Sequence, residues 1–129
     1  MPQTLKLIGV LLLGIAIGAR GIPALKAQTP GSATYVVASM RVVEPLGFTD
    51  YMRGEPATLA PYHGSVVARG LPDVREGVAP DGFVSIYAFD NSEDANRWYS
   101  SPELAKLLAL RQHAAKTQLY FLSGIVQQP

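Results

Sequence analysis

One arginine of the sequence stands where it could bind an anion. Arg69 is the last side chain of the predicted strand Ser65 to Gly70, and a glycine follows it directly. An arginine at the end of a strand can hold a carboxylate or enolate oxygen through two parallel hydrogen bonds. An ion pair with Glu76, which would pin the following loop, explains the same position equally well. Arg69 is therefore the first candidate site residue, with a binding role and a structural role both open.

Two further residues could move a proton beside such an anion. His63 could act as a general base, because the ordinary pKa of histidine, about 6.5, lies near neutral pH. The favoured alternative for His63 is a helix-end histidine that meets the helix dipole or water. Tyr87 shares a strand face with Ser85 by alternation, and both could orient a ligand or fill a subunit interface. Arg69, Tyr87 and His63 are the predicted catalytic residues.

Five residues are predicted to contact a ligand, and each has a structural alternative. They are Arg41, Ser85, Trp98, Tyr99 and Arg111. Arg41 could instead extend into water over its aliphatic stem. Trp98 and Tyr99 are expected on a helix, where packing is the more common use of an aromatic ring. Arg111 lies about two helical turns after Glu103, so a partner on another element is favoured over that glutamate.

Composition excludes several kinds of site. The 129-residue chain has no cysteine and two histidines, His63 and His113. Disulfides, thiolate metal sites and cysteine nucleophiles are therefore excluded. The sequence shows no histidine pair at helical spacing and no dense carboxylate cluster, so we expect no metal and no cofactor, with haem on a histidine as the remote alternative. It also lacks the glycine motifs of nucleotide-binding proteins and α/β-hydrolases.

The first 27 residues are typical of an export signal. Lys6 precedes the uncharged run Leu7 to Ala19, whose 13 residues are too few to span a membrane but fit the apolar core of a secretory signal. Cleavage is predicted after Ala27, with Ala24 as the alternative, and an uncleaved membrane-anchoring helix is the competing interpretation. We predict an exported protein, periplasmic or extracellular. Residues 28–33 would be a flexible lead-in and 34–126 one domain.

Removal of this signal would reverse the sign of the net charge. The whole chain has eleven basic and ten acidic residues, a formal charge of +1. Residues 28–129 keep eight basic and ten acidic residues. Nucleic-acid binding needs clustered lysine and arginine, so nucleic acid is excluded as a partner. We also expect no stable membrane insertion after cleavage.

Hydrophobic periodicity predicts four strands and interrupted helices in the order β-α-β-β-α-α-β. The predicted strands are 34–43, 65–70, 82–89 and 117–126. Helical spacing begins at Pro45 and is broken by Gly54 and Pro56. Later helices are expected to start from a cap at Asn91 or Ser92 and from Ser101. This order predicts an α+β fold, a ferredoxin-like βαββαβ antiparallel sheet with helices on one face.

Alternation along the strands predicts two unlike sheet faces. The small aliphatic set, expected under the helices, is Val36, Ala38, Met40, Val42, Val66, Ala68, Val84, Ile86 and Ala88. The mixed set is Tyr35, Val37, Ser39, Arg41, Val67, Arg69, Phe83, Ser85, Tyr87 and Phe89, with Leu119, Phe121 and Ser123 as its extension. Such a mixed face favours a homodimer in which two sheets meet and enclose a partly polar cavity. A monomer with that face in water is the alternative.

A series of short motifs resembles one known family. In chain order they are Tyr62-His63-Gly64, Val67-Ala68-Arg69-Gly70, Glu76-Gly77, Phe89-Asp90-Asn91-Ser92, the segment Ala95 to Glu103, and Arg111. The pattern over residues 34–125 resembles the domain-of-unknown-function family numbered 1330, within the dimeric α/β-barrel superfamily. The resemblance implies a ferredoxin-like protomer and a face-to-face dimer, and no particular reaction. The chain departs from the family pattern at His63, Leu71 and Leu104.

Two functions follow as hypotheses. The first is an exported dimeric α/β-barrel protein that binds a small, partly apolar molecule in a cavity between sheet and helices. The alternative is an enzyme without a cofactor, monooxygenase-like or isomerase-like, acting on a small carbonyl or phenolic compound. In that enzyme Arg69 would stabilise an anion, with Tyr87 or His63 as proton carrier. A purely structural dimer with a closed cavity is a third possibility.

Overall fold

The computed structural model describes residues 33–125, and it has four strands in one antiparallel sheet. The strands are β1 (Thr34–Val42), β2 (Gly64–Gly70), β3 (Phe83–Phe89) and β4 (Ala115–Ser123), in the spatial order β2-β3-β1-β4. This is the predicted ferredoxin-like α+β arrangement. The predicted signal, residues 1–27, and nearly all of the predicted lead-in, 28–33, lie outside the described residues.

Four helices cover one face of the sheet. They are α1 (Pro45–Gly54), α2 (Pro56–Leu59), α3 (Ser92–Tyr99) and α4 (Pro102–Ala114), and a 3-10 turn follows α2 at Ala60–Tyr62. Within residues 33–125, no helix has both the length and the apolar character needed to cross a membrane.

Local sequence sets the helix starts. The Glu44 carboxylate accepts hydrogen bonds from the backbone N–H groups of Leu46 and Gly47, 3.0 and 2.6 Å away. Asn91 and Ser101 cap α3 and α4 in the same way because their short polar side chains reach back to the first turn. Both predicted caps are confirmed, and so is the break at Pro56, where α1 ends and α2 begins.

The last strand differs from its predicted bounds. β4 was expected at 117–126, but it begins at Ala115 and ends at Ser123. The backbone passes directly from α4 into β4, since Ala115 is already extended and its N–H bonds to the Arg111 carbonyl. Residues 124 and 125 have no regular structure, and Val126 lies outside the described residues.

The register between strands corrects the predicted faces. Val36 pairs with Tyr87, Ala38 with Ser85, and Met40 with Phe83. Directly paired residues share a face, so these aromatic and polar residues of β3 lie under the helices with Val36, Ala38 and Met40. We call this the inner face. Alternation was predicted correctly within β1 and β3, but their relative phase was wrong.

The opposite face, which we call the open face, is apolar at its centre and polar toward one end, where Ser39, Arg41, Lys116 and Gln118 lie. Its members include Tyr35, Val37, Ala68, Val84, Ile86, Tyr120 and Leu122. Half or more of the side-chain surface of Tyr120 and Leu122 is exposed. The predicted mixed face included Arg69, Ser85 and Tyr87, but these residues lie on the inner face. The open face is uncovered by the described helices.

Candidate functional site

A glutamate at the break between two helices is the centre of the candidate site. Glu55 lies between Gly54, the last residue of α1, and Pro56, the first of α2. Its backbone N–H still bonds to the Tyr51 carbonyl, 3.0 Å away, so its side chain follows the inward-facing side of α1. The residue is 0% exposed. The helix break thus places a carboxylate in the layer between helices and sheet.

The Glu55 carboxylate receives three hydrogen bonds. Oε2 accepts from the hydroxyl of Tyr51 and from the hydroxyl of Tyr87, the latter at 2.5 Å. Oε1 accepts from Nη2 of Arg69, which makes an ion pair. All three partners donate, which is the arrangement that an ionised carboxylate needs. A buried carboxylate is tolerated only with such compensation.

A bulge in β2 brings Arg69 to this carboxylate. Val66 pairs with Tyr87 and Ala68 with Ile86, so Val67 is an extra residue. The bulge reverses the alternation beyond it and turns Arg69 toward the inner face, opposite Ser85. Arg69 Nε donates to Ser85 Oγ over 3.0 Å, and Nη2 lies 3.5 Å from the Tyr87 hydroxyl. The Arg69 partner is therefore Glu55, not the predicted Glu76, which is exposed in the loop.

We name these five residues the Glu55 cluster: Tyr51, Glu55, Arg69, Ser85 and Tyr87. Hydrogen bonds also fix the backbone at Glu55. Thr58 Oγ1 donates to the Glu55 carbonyl over 2.7 Å, and Trp98 Nε1 donates to Thr58 Oγ1 over 2.9 Å. The Trp98 ring contacts the Tyr87 ring, with centroids 5.3 Å apart. A helix–helix link thus fixes where Glu55 sits.

One edge of the cluster is reachable from outside. The Arg69 side chain is 21% exposed. Its Nη1 has no hydrogen-bond partner among residues 33–125, whereas Nε and Nη2 are both engaged. Arg69 therefore has a fixed guanidinium plane with one nitrogen left for another acceptor.

A second arginine lies beside the cluster. Arg111, on the last turn of α4, is 8% exposed, and its guanidinium lies over the Tyr51 ring, 5.7 Å from the centroid. This supplies the partner on another element that the sequence predicted. Within the described chain Arg111 makes no ion pair.

The two cluster tyrosines resist ionisation. Burial and the neighbouring Glu55 charge raise the pKa of Tyr51 to about 12. Burial is also the main cause that raises the pKa of Tyr87 well above its ordinary value, with the Tyr51 and Glu55 charges adding to it. Both hydroxyls therefore act as hydrogen-bond donors near neutral pH and not as phenolates.

A cleft adjoins Arg69 on the open side of the sheet. It has a volume of about 320 Å³ and is lined by Ala68, Arg69, Gly70, Leu71, Pro72, Pro80, Val84 and Ile86. This volume is at the lower end of the range of ligand pockets. Arg69 is the one charged residue in that lining, and its guanidinium lies on the opposite, inner face with Glu55 and Ser85. The layer between sheet and helices, where a cavity was expected, holds the buried cluster and the aromatic core.

A separate group of polar residues lies at the other end of β2. The ligand atoms of His63, Asp90 and Asp94 all lie within 4.8 Å of one another. His63 Nδ1 is 3.1 Å from Asp94 Oδ2, and Arg97 donates to Asp94 Oδ1 at 2.9 Å. These three residues could hold a cation, although no metal cluster was expected from the sequence. Five residues of β2 separate His63 from Arg69, so the two are not parts of one site.

The structure brings together some of the predicted site residues and separates others. Arg69, Ser85 and Tyr87 belong to the Glu55 cluster, and Trp98 and Arg111 contact its tyrosines. His63, Arg41 and Tyr99 lie elsewhere. Arg41 Nε pairs with Asp81 Oδ2 at 3.1 Å, and Tyr99 packs edge-on against Phe121.

Sequence reasoning missed Glu55 and the site role of Tyr51. Tyr51 is the buried residue of α1, and Glu55 follows four residues later. Residues at this spacing lie on the same side of a helix. A charged residue on a buried helix face, next to a proline that ends the helix, was the available signal.

Comparison with known proteins places the whole described domain in one family. The family model described as Domain of unknown function (DUF1330) matches residues 33–125. None of the curated proteins matches the chain.

Solved structures share the fold at low identity. SnoaB, a cofactor-independent oxygenase from Streptomyces nogalater, is 16% identical, with a TM-score of 0.56 over 76% of this chain and 98% of its own. A protein of unknown function from Rhodopseudomonas palustris is 15% identical, with a TM-score of 0.60 over 84% and 94%. A dimeric ferredoxin-like protein of unknown function from Thermobifida fusca is 14% identical, with a TM-score of 0.54 over 73% and 92%.

At such low identities, the similarity to these solved structures shows only that the fold is shared. The family model, in contrast, matches the sequence from the residue before β1 to beyond the end of β4. The chain belongs to the DUF1330 domain family.

Proposed function

We propose that the protein is a homodimer that binds a small, partly apolar molecule in the cleft beside Arg69. The observation that carries this proposal is the cleft itself, which has a volume of about 320 Å³. Seven of its eight lining residues are uncharged, and the eighth is Arg69. The Arg69 guanidinium lies on the inner face, where Glu55 and Ser85 hold it. Predominantly apolar walls are the usual composition of a small-molecule site.

The open face supports the homodimer. Val37, Val84 and Ile86 at its centre are accompanied by the exposed Tyr120 and Leu122. A contiguous apolar surface of this kind is usually covered by a partner. A second copy is the partner we propose, because a dimeric ferredoxin-like protein has the same fold. The cleft is continuous with this face through Ala68, Val84 and Ile86, so a second copy would border the bound molecule.

Binding is favoured over catalysis by the hydrogen bonds of Tyr87. A cofactor-free enzyme, as SnoaB is, remains the second candidate, because Tyr87 places a hydroxyl 3.5 Å from Arg69 Nη2. That hydroxyl already donates its proton to Glu55 Oε2. His63, the other predicted proton carrier, lies at the far end of β2. We also propose export of the protein, on the strength of the uncharged run Leu7 to Ala19.

Native mass spectrometry of gently purified protein tests the proposal. We expect a dimer that carries a bound small molecule. Ala68→Leu, which fills part of the cleft, should lose that extra mass, and Val67→Leu should keep it. Val67 is the matched control because it is the neighbouring residue, is exposed and does not line the cleft. A monomer at micromolar concentration would contradict the homodimer, and an empty dimer, or equal ligand retention in both variants, would contradict the site.

A further inference from the structure

Three side chains that can bind a metal ion meet where β2 begins and β3 ends. Gly64, the first residue of β2, pairs with Phe89, the last residue of β3. His63 directly precedes one of these partners, and Asp90 directly follows the other. Asp94 lies in the first turn of α3, four residues after Asp90. Strand pairing therefore brings a histidine and two aspartates from distant parts of the chain together. We call His63, Asp90 and Asp94 the His63 group.

Two members of the His63 group are held in place by their neighbours. The backbone N–H of His63, which ends the 3-10 turn, bonds to the Ala60 carbonyl over 3.1 Å. The Asn91 side chain accepts from the Asp94 N–H over 2.8 Å. The Asp94 side chain is 8% exposed, and Arg97 donates to its Oδ1 over 2.9 Å. Asp94 therefore presents its other oxygen, Oδ2, to His63.

The spacing of the ligand atoms fits a tetrahedral ion. His63 Nδ1 and Asp94 Oδ2 lie 3.1 Å apart, and two ligand atoms of a tetrahedral zinc ion with bonds of about 2.0 Å lie ~3.3 Å apart. One ligand atom from each of the three residues lies within 4.8 Å of the other two. Asp90 is exposed, so a rotation of its carboxylate closes the remaining distance.

The kinds of ligand atom favour zinc over the lighter divalent cations. Zn²⁺ binds imidazole nitrogen as well as carboxylate oxygen, whereas Mg²⁺ and Ca²⁺ take oxygen ligands. Asp90 and Asp94 supply two negative charges here, and Arg97 supplies one positive charge. This leaves one net negative charge that attracts a cation. The His63 side chain is 61% exposed, so an ion can reach it from solvent.

We propose that the His63 group binds one Zn²⁺ ion whose fourth position is open to water. Three protein ligands and one open position are typical of zinc ions that take part in chemistry, whereas structural zinc ions have four protein ligands. No member of the His63 group lines the cleft. The zinc site is therefore separate from the proposed small-molecule site, and either one can exist without the other.

Calorimetric titration of the untagged full chain with zinc chloride tests the site. We expect one Zn²⁺ per chain, bound more tightly than Mg²⁺ under the same conditions. His63→Asn should raise the Kd for Zn²⁺ at least about tenfold, because loss of a group that only supports a ligand already has an effect of that size. Asparagine is chosen because His63 has φ of +57°, a left-handed backbone that asparagine readily adopts.

Matched controls exist for the histidine and for an aspartate. His113 is the other histidine of the chain and is exposed on α4, so His113→Asn should leave the Kd for Zn²⁺ unchanged. Asp90→Asn should raise that Kd about as much as His63→Asn does. Asp50→Asn should have no effect, because Asp50 is exposed on α1 and pairs with Arg53. Asp90 and Asp50 are both exposed, so neither variant should prevent folding, and thermal unfolding without metal checks this.

Each outcome of these titrations supports or overturns the zinc site. Weaker binding in His63→Asn and Asp90→Asn, with both controls unchanged, supports it. Absence of Zn²⁺ binding to the wild-type chain overturns it, and so does an unchanged Kd in a folded His63→Asn variant. Equal weakening in His63→Asn and His113→Asn also overturns it, because the ion would then bind exposed histidines in general. Binding of Mg²⁺ as tight as that of Zn²⁺ overturns the part assigned to the imidazole.

Discussion

Replacing Arg69 by methionine should destabilise the protein strongly, because the change leaves Glu55 without its cation. Glu55 is 0% exposed and keeps only the two tyrosine hydroxyls as donors. Breaking a buried ion pair by removing one partner costs about 3–5 kcal/mol. The Arg69 side chain is 21% exposed, so water partly screens the pair, and we expect the lower end of that range. About 3 kcal/mol corresponds to a fall in Tm of roughly 15 °C for a domain of this size.

Urea unfolding of a double-mutant cycle measures this effect. The variants are Arg69→Met, Glu55→Gln and the two combined. Glu55→Gln keeps an acceptor for the tyrosine hydroxyls and removes the buried charge, so the double variant should recover more than half of the stability lost in Arg69→Met. A cost of Arg69→Met below about 1 kcal/mol, or a double variant no more stable than Arg69→Met alone, would refute the description of Glu55 as a buried, ion-paired carboxylate.

Two further predictions concern backbone space and proton binding. Gly82→Ala should cost about 2 kcal/mol or more in urea unfolding, because Gly82 has φ of +82° and a Cβ there would lie 2.3 Å from the Met40 carbonyl oxygen. Gly77→Ala, with φ of +76° and nothing within 4 Å, should cost only about 1 kcal/mol, and equal costs would contradict the crowding argument. The pKa of Tyr51 is raised to about 12 in the native state. The contribution of the protonated Tyr51 to the free energy of unfolding should therefore be fully present below pH 10 and fall as the pH rises toward 12. Thermal unfolding across that range checks this, and the fall should be smaller in Tyr51→Phe; an equal fall in both would refute it.

Most of the fold follows from local patterns. The alternation of apolar and polar residues predicts all four strands. Side-chain caps predict the starts of α3 and α4. The break at Pro56 follows from the missing backbone donor of proline. These features depend on residues close together in the chain, so the sequence carries them directly.

The assignment of sheet faces needed information that local patterns lack. Alternation separates Val36 from Tyr35 and Tyr87 from Ile86, but it does not say which member of each pair shares a face. That phase depends on the register between β1 and β3, which is set by the whole intervening chain. The bulge at Val67 reverses the phase once more. The partner of Arg69 was missed for the same reason, since Glu55 meets it only through tertiary packing.

The single tryptophan of the chain lies against the Glu55 cluster. The centroid of its ring lies 5.3 Å from both Tyr87 and Phe89, and the residue is buried. Its fluorescence therefore comes from one environment and needs no engineered label. A change in the Tyr87 hydrogen bonds would alter the emission of Trp98 while the surface of the domain stays unchanged. The packing that fixes the position of Glu55 thus also gives the protein an internal optical probe of that position.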